Sequence, residues 1–311
     1  MTRNMYFGAD LSPLFDATAS QLGEDSAAAY QQMQASAIPD RIEADAHEVA
    51  AAKPELVALQ EAVVWSVIPP GQKTATVQYD FVSMLLADLA HLGVTYTVAS
   101  SNDGFSGTLP VPGVGLVSLQ DRDVILLRSG SSVSVSDPSS GSYQHVLTVN
   151  VAGVPITVKR GWTSVEATAA GRNSSFRVIA THLEAYSDPT RDAQANELLA
   201  LVAASPDPTV VLGDVNSAAQ GAGSQTYDLV RSAGLGDAWA SAEPGNPGYT
   251  CCRDADVRGG SLTQRIDMVF YRGSFNISSA SIVGASPGDR TPGGLWPSDH
   301  AGVVTTLVPP A

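Results

Sequence analysis

Two short segments of the sequence bring together residue types that do acid–base and hydrolytic chemistry. Asp299 and His300 are adjacent in WPSDHAG, and Asp214 and Asn216 are two apart in GDVN. Residues two apart in an extended segment face the same side, so Asp214 and Asn216 can handle a water and an oxygen of one substrate. Adjacent residues face opposite sides, so Asp299 and His300 form either a polar loop before a final strand or part of a site.

These residues belong to a larger set of polar side chains, each at the end of an apolar segment that reads as a strand. The set comprises Asn4, Glu61, Asp123, His182, Asp214, Asn216, Asp267, Asp299 and His300. A rigid sheet can present catalytic groups at its strand ends and on the adjoining loops. Taken singly, each residue is explained as well by a strand end that meets solvent. Asp267 lies within the apolar IDMVF and needs a partner, either Arg265 or a histidine.

The elements that must position these residues are strands and helices in mixed order. We predict strands at 1–7, 55–60, 123–128 and 176–182, a hairpin turning at Ala152 and Gly153, and further strands in PTVVLGDVNS, TQRIDMVFYR and HAGVVTTLV. Helices are predicted at 40–52 and 78–92, and a third begins with Asp188 as N-cap and Pro189 at the first helical position. Loops are predicted at 10–37, 101–118, 129–145 and 217–226. The pattern indicates one layered α/β domain spanning residues 1–311.

Composition limits the classes of partner. The chain carries 31 Asp and Glu against 17 Lys and Arg, a formal net charge of −14. This charge repels polyanions unless a basic groove or metal ions compensate, and no basic cluster interleaved with aromatic residues occurs in the sequence. We therefore expect a small or neutral-headed substrate rather than long nucleic acid. No apolar run is long enough to span a bilayer.

The two cysteines and the N-terminus bear on the compartment. Cys251 and Cys252 are neighbours, so they cannot form a metal site of the usual spacing or join distant segments. They form either a vicinal disulfide or buried thiols, and we expect thiols. The N-terminal MTRNMYFGADL lacks a basic region followed by an apolar one, as a signal peptide would have. Localisation stays open, with secretion or export to a periplasm compatible with a leader absent from this chain; we expect a monomer.

Five motifs, in order along the chain, resemble the endonuclease/exonuclease/phosphatase superfamily, which shares the deoxyribonuclease-like fold. They are ALQE ending at Glu61, THLE at 181–184, GDVN at 213–216, RID ending at Asp267 and SDH ending at His300. Each motif alone is a weak signal, but five in this order, each at a strand end, are not explained by chance. The resemblance covers nearly the whole chain. It implies a four-layered α/β sandwich, in which two packed mixed β-sheets are flanked by helices and carry a divalent-metal phosphoesterase site at one rim.

The resemblance implies a metal site. Glu61 with Asn4 would form the main metal-binding pair, and Asp299 would lie beside the ion, as a ligand or through water. Hard carboxylate and amide oxygens suit Mg²⁺ or Mn²⁺, with Ca²⁺ as a further candidate. The ion would act as a Lewis acid on a phosphoryl oxygen and stabilise the leaving group.

The resemblance also implies catalytic roles. Asp214 would orient or deprotonate the attacking water, and Asn216 would donate a hydrogen bond to a phosphoryl oxygen. His300 would bind the phosphoryl group or transfer a proton, held by Asp267 as its orienting carboxylate. Such a pair raises the pKa of the histidine and suits an anionic transition state.

A second histidine, His182, is implied as another contact to a phosphoryl oxygen, with Asp123 as its candidate partner. Asp123 is equally well explained as part of a solvated turn, because Asp121 and Arg122 flank it.

The motifs leave the substrate open, since specificity lies in the loops. The predicted loops lack the Arg and Lys of a nucleic-acid groove, so we favour a small organic phosphodiester or a phospholipid-type headgroup. The runner-up is a secreted endonuclease acting on DNA or RNA, supported by a modest basic strip of Arg160, Arg172 and Arg177. A catalytically idle binding module is the third alternative, and the full complement of expected residue types disfavours it.

Overall fold

Two mixed β-sheets pack against each other in the computed structural model, which describes residues 1–172, 174–221, 223 and 225–309. The first sheet contains β1 (Thr2–Asn4), β2 (Leu56–Gln60), β3 (Val64–Ile68), β4 (Thr76–Asp80), β5 (Tyr96–Val111), β6 (Gly115–Arg128), β15 (Asn276–Val283) and β16 (Gly302–Val308). The second contains β7 (Val133–Ser142), β10 (Gly161–Ala169), β11 (Phe176–His182), β12 (Thr209–Asp214), β13 (Gly236–Asp237) and β14 (Asp267–Arg272). A separate hairpin consists of β8 (Leu147–Val151) and β9 (Val154–Val158), turning at Ala152 and Gly153 as predicted.

Apolar side chains fill three interfaces, which explains the layering. Between the sheets, Ile125 of the first packs with Val178 and Leu212 of the second, and burial of each such side chain contributes about 1.5–3 kcal/mol. Outside the first sheet lie α1 (Leu22–Ala35), α2 (Ile38–Ala52) and α3 (Phe81–His91). Outside the second lie α4 (Asp188–Ala204) and α5 (Gln225–Ser232), and α6 (Ala238–Ala242) packs at its edge. The four-layered α/β sandwich predicted from the sequence is thereby confirmed.

Strand register brings the polar strand ends to one rim. β1 and β2 run parallel, with Asn4 opposite Gln60. Glu61 is the residue after Gln60, so it lies at the same end of the sheet as Asn4. β11 and β12 also run parallel, with His182 opposite Asp214. β14 is antiparallel to β12, so its first residue, Asp267, lies opposite Asp214. β16 is antiparallel to β1, which places the segment just before β16 at the same rim.

Two predicted loops proved to be edge strands. Most of 101–118 belongs to the long β5–β6 hairpin, and 133–142 forms β7. β5 pairs only with β6, and β7 is the last strand of its sheet. An edge strand buries fewer side chains than a central strand, so Ser-, Gly- and Pro-rich sequence is compatible with it.

Helix boundaries also differ from the sequence predictions. Residues 22–35, predicted as loop, form α1, which has three consecutive alanines and two acidic residues in its first turn, both favourable in a helix. The third predicted helix is α4, but its N-cap is Ser187, whose Oγ accepts a hydrogen bond from the Thr190 N–H, and not Asp188. The segment 76–80 is a strand, so α3 starts at Phe81 instead of 78. In the predicted loop 217–226, residues 222 and 224 lie outside the described residues.

Cys251 and Cys252 form a vicinal disulfide, so the expectation of free thiols was wrong. The preceding residue, Thr250, holds the rim of the sandwich together. Its Oγ1 accepts a hydrogen bond from the Asp267 N–H at 3.2 Å, and its carbonyl accepts one from Ala301.

Within the described residues, no helix combines the length and apolarity needed to cross a bilayer.

Candidate active site

Asp214 is the centre of the polar cluster at the rim. Its Oδ2 accepts a hydrogen bond from Asn4 Nδ2 at 3.0 Å, and its Oδ1 accepts one from the Asn216 N–H at 2.9 Å. The same Oδ2 lies 3.6 Å from His182 Nε2 and 3.8 Å from His300 Nε2. Burial raises the pKa of Asp214 to about 6, against the opposing effect of the His300 charge. A carboxyl group with a raised pKa of this kind has a proton affinity suited to proton transfer near neutral pH.

His300 is paired with Asp267. The sequence left open whether Asp267 pairs with Arg265 or with a histidine. The Nδ1 of His300 donates to Asp267 Oδ2 at 2.8 Å, since an ionised carboxylate only accepts. Arg265, the alternative partner, instead donates to Asp237 at 2.8 Å. Burial lowers the pKa of His300, but the charges of Asp267, Asp299 and Asp214 outweigh it and hold that pKa well above the usual value. His300 is therefore an imidazolium.

His182 has the opposite protonation state, because its partner is a guanidinium. Arg160 Nη1 lies 3.0 Å from His182 Nδ1, and a guanidinium only donates, so Nδ1 is the acceptor and the proton sits on Nε2. Burial, together with the Arg160 charge, lowers the pKa of His182 well below its usual value. The rim thus carries a neutral histidine with an N–H donor and a cationic histidine, on either side of Asp214.

The sequence did not predict Arg160 as the partner of His182. Arg160 is buried and pairs with Asp121 at 3.4 Å as well as with His182. Asp123, the candidate partner of His182, is also buried, but Arg160 occupies the hydrogen-bonding position on Nδ1, so the expected pairing is not formed. Of the predicted basic strip, Arg160 is buried in this cluster and Arg177 lies against Glu166 at 3.9 Å.

Glu61, Asn4 and Asp299 form the acidic side of the site. Glu61 Oε1 accepts from Asn4 Nδ2 at 3.1 Å, and its Oε2 accepts from the Phe7 N–H at 2.8 Å. Asp299 Oδ1 accepts from Ser298 Oγ at 3.2 Å. Burial, together with the neighbouring Asp299 charge, raises the pKa of Glu61 to about 8. Two half-buried carboxylates are hard oxygen donors whose mutual repulsion a divalent cation offsets, so Glu61 and Asp299 fit Mg²⁺ or Mn²⁺. Asn4 orients Glu61 through Nδ2, while its Oδ1 accepts from the Tyr6 N–H at 3.0 Å.

A second group of side chains also satisfies the distances of a metal site. The ligand atoms of Asp214, Asp267 and His300 lie within 4.8 Å of one another, and all three residues are buried. The 2.8 Å contact between His300 and Asp267 is a hydrogen bond that occupies Nδ1, so only Nε2 of this histidine is open to a ligand.

Backbone strain marks the same rim. Glu61 and Asn216 have φ values of +54° and +50°, and Tyr6 has +61°. Non-glycine residues in the left-handed region cost on the order of 1–3 kcal/mol each and concentrate at functional sites. Each of these residues directly follows, or closely follows, a strand, and the left-handed turn redirects the chain at the pocket.

The cluster opens into a polar cavity of about 220 Å³. The side chains that line it are those of Tyr6, Phe7, Ala9, Asp10, Leu11, Glu61, Arg160, His182, Ala185, Tyr186, Asp214, Asn216, Ala255, Asp299 and His300. Of the residues predicted from the sequence, Asn4 and Asp267 lie behind this wall and contact it through Glu61, Asp214 and His300. The structure therefore brings all eight sequence-predicted site residues into one cluster.

Comparison with known proteins agrees with this architecture. An endonuclease/exonuclease/phosphatase family protein from Leptotrichia buccalis is 15% identical and superposes with a TM-score of 0.60, covering 86% of this chain and 92% of that one. The mannosyl-6-phosphatase of Bacteroides thetaiotaomicron is 17% identical, with a TM-score of 0.57 and coverage of 99% and 98%. The TDP2 of D. rerio, complexed with single strand DNA product, is 17% identical, with a TM-score of 0.55 and coverage of 87% and 92%. At these identities the likeness concerns the fold.

Sequence comparison identifies the family. No curated protein sequence matches the chain significantly. The model of the Endonuclease/Exonuclease/phosphatase family, however, matches residues 32–300, which include every predicted site residue except Asn4. Together with the sandwich fold, this match shows that the chain belongs to the endonuclease/exonuclease/phosphatase family.

Proposed function

We propose that the protein is a divalent-metal-dependent phosphoester hydrolase whose substrate is a small organic or phospholipid-type phosphodiester. The observation that carries the proposal is the arrangement around Asp214. An ionised carboxylate lies between a neutral histidine and a cationic histidine, each held in its protonation state by a buried partner. Hydrolysis of a phosphodiester needs a base for water and donors for the phosphoryl oxygens, and this cluster supplies both.

Each side chain has a proposed role that its contacts support. Asp214 orients and deprotonates the attacking water. His182 donates from Nε2 to a phosphoryl oxygen, since its Nδ1 is occupied by Arg160. His300 contributes a positive charge to the phosphoryl group, and Asp267 holds its ring through Nδ1. Asn216 uses one amide hydrogen for the Leu183 carbonyl at 2.9 Å, which orients the carboxamide and leaves its second N–H for substrate.

Glu61 and Asp299, with Asn4 beside them, would hold Mg²⁺ or Mn²⁺, with Ca²⁺ as a weaker candidate. When bound, the ion supplies Lewis-acid charge at the phosphoryl and leaving oxygens. The hydrogen bond from the Phe7 N–H fixes one oxygen of Glu61, so the carboxylate keeps its direction in the pocket.

The charge of the chain favours a small substrate over a polyanion. The formal charge of −14 opposes a polyanion, and of the arginines that would support a nuclease, Arg160 is buried and Arg177 lies against Glu166. The mannosyl-6-phosphatase among the similar structures is, by its name, a phosphatase, so phosphomonoesters belong among the test substrates. The complete cluster argues against an idle binding module.

The test is a substrate panel. Bis(p-nitrophenyl) phosphate, p-nitrophenyl phosphate, a phosphotriester, sphingomyelin and plasmid DNA would be incubated with Mg²⁺, Mn²⁺, Ca²⁺ or EDTA. We expect diester turnover that EDTA abolishes and that His300→Ala abolishes with the fold intact, whereas the exposed His91→Ala control keeps it. Diester turnover that survives in EDTA, or no turnover of any ester, would refute the proposal; nicking of DNA with no diester turnover would favour the nuclease.

A further inference from the structure

A second cavity, about 110 Å³ in volume, lies beside the catalytic pocket and is almost entirely apolar. It is enclosed by α1, by the 3₁₀ helix Ser12–Leu14, by the β5–β6 hairpin and by the β8–β9 hairpin. Its apolar wall includes Leu14, Ala29, Phe105, Leu109 and Val151. The β8–β9 hairpin belongs to neither large sheet and is tied to the opposite wall by the hydrogen bond from Ala152 N–H to the Ala17 carbonyl, at 2.7 Å.

The polar side chains that line this cavity already have hydrogen-bond partners outside it. Ser26 Oγ donates to the Pro110 carbonyl at 2.9 Å, and Tyr30 pairs with Gln78 at 3.0 Å. Thr108 Oγ1 pairs with Ser118 Oγ at 2.9 Å, and Trp65 Nε1 donates to the Phe7 carbonyl at 3.0 Å. A polar occupant would therefore lose its hydrogen bonds to water and gain none in return. The cavity selects an apolar group.

The apolar cavity adjoins the catalytic pocket. Leu11 lines both of them. Phe15, in the wall of the apolar cavity, packs edge-on against Tyr186, in the wall of the catalytic pocket, with ring centroids 4.8 Å apart. Trp65 of the first cavity is hydrogen-bonded to Phe7 of the second. Leu11 is thus the residue past which an apolar substituent would extend from a phosphoryl group at Asp214.

We propose that this cavity binds an alkyl chain on the phosphoester substrate, so that the protein acts on amphiphilic phosphoesters. The inference rests on the proposed function, because the phosphoryl group must bind at the catalytic pocket. An engineered apolar cavity of about 150 Å³ in another protein takes up benzene, so a space of this scale holds a short alkyl segment of several carbons. Each methylene that leaves water for such a site improves binding about fourfold.

The test compares two phosphonates, whose C–P bond a phosphoesterase does not hydrolyse. Isothermal titration calorimetry with Mg²⁺ would measure the Kd of methylphosphonate and hexylphosphonate. Ala29→Phe fills the cavity from α1, and Val149→Phe fills it from the half-buried face of β8. Ala28→Phe is the matched control, since Ala28 lies on the exposed face of α1. Circular dichroism and thermal melting would verify that each variant is folded, and either filling variant suffices.

We expect hexylphosphonate to bind the wild-type protein at least about tenfold more tightly than methylphosphonate, since several methylenes enter the cavity. This preference should disappear in a folded filling variant and persist in Ala28→Phe. Equal affinities in the wild type, or a preference that both filling variants retain, would overturn the inference by showing that the cavity is a dry packing void. Turnover of bis(p-nitrophenyl) phosphate by the wild-type protein is measured in parallel. Absence of this turnover would refute the proposed function. Equal affinities for the two phosphonates, with turnover present, would refute only the alkyl site.

Discussion

Replacing Arg160 by methionine should impair the site in two separable ways. The guanidinium holds the neutral tautomer of His182 from 3.0 Å and neutralises the buried Asp121 from 3.4 Å. Methionine keeps much of the side-chain volume but removes the charge and every donor. His182 then has no donor to fix its Nε2 proton, and Asp121 is left as a buried carboxylate without a cation.

The size of both effects follows from these contacts. Removing one partner of a buried ion pair costs about 3–5 kcal/mol. We expect about 3 kcal/mol for Arg160→Met, because the 3.4 Å contact is long and Asp121, whose pKa burial already raises, can take up a proton. Catalysis should fall separately, since one preorganised donor at a charge-developing site is worth about 10²–10³ in kcat.

The double variant Arg160→Met/Asp121→Asn separates stability from catalysis. Removing the orphaned charge of Asp121 should restore most of the lost free energy of unfolding, as measured by urea denaturation. Diester hydrolysis should stay low, because His182 still lacks its donor. Arg177→Met is the control, since it removes a 3.9 Å contact with the partly exposed Glu166 and a 3.2 Å hydrogen bond to Ser164 Oγ, and its cost should be smaller than that of Arg160→Met.

Two results would contradict this reasoning. Activity of Arg160→Met within threefold of wild type would show that the guanidinium has no role in the reaction. Recovery of activity in the double variant, in step with stability, would show that Arg160 is only a structural counterion of Asp121.

Three further predictions concern the metal, the pH dependence of stability and the packing of the rim. Mg²⁺ should raise the Tm of the wild type and not that of Glu61→Gln; an equal rise in both would remove Glu61 from the metal site. Burial raises the pKa of Glu48 from 4.5 to about 8, so its contribution to stability is present at acid pH and is lost as the pH rises through about 8. The Tm of the wild type should therefore fall more between pH 6 and pH 9 than that of Glu48→Gln, and parallel curves would contradict this assignment. A Cβ on Gly213, at φ +150°, would collide with the Thr181 carbonyl oxygen between β11 and β12. Gly213→Ala should thus lose about 1–3 kcal/mol of stability and most activity, whereas Gly288→Ala, with open space around it, should lose neither; a Gly213→Ala protein as stable and active as wild type would contradict the packing.

The strand-end residues were predictable because their sequence signal is local. A polar residue after an apolar run marks a strand end, and the order of five such motifs indicated both the fold and the rim. The partner of Asp267 was not predictable from composition, since Arg265 is two residues away and His300 is 33 residues away. Strand pairing decided the question, because β14 and the segment before β16 meet at the same rim.

Other features of the structure could not be predicted from the periodicity of apolar residues in the sequence. Arg160 follows a hairpin, and its contact with His182 exists only because β10 and β11 pair with Gly161 opposite His182. The edge strands β5 and β7 are rich in Ser, Gly and Pro and bury few of their side chains, so they resembled loops. The apolar cavity is formed by four elements that are distant in sequence, and no single one of them shows it.

The central claim is that Asp214 activates water for attack on a phosphodiester, and the kcat/KM of Asp214→Asn tests it most directly. Asparagine keeps the shape and can still contact Asn4, but it cannot accept the proton of water. With bis(p-nitrophenyl) phosphate and Mg²⁺ at pH 8, where the wild-type carboxylate with its pKa of about 6 is ionised, we expect a loss of about 10³-fold or more in a folded variant. A kcat/KM within tenfold of wild type would contradict the account.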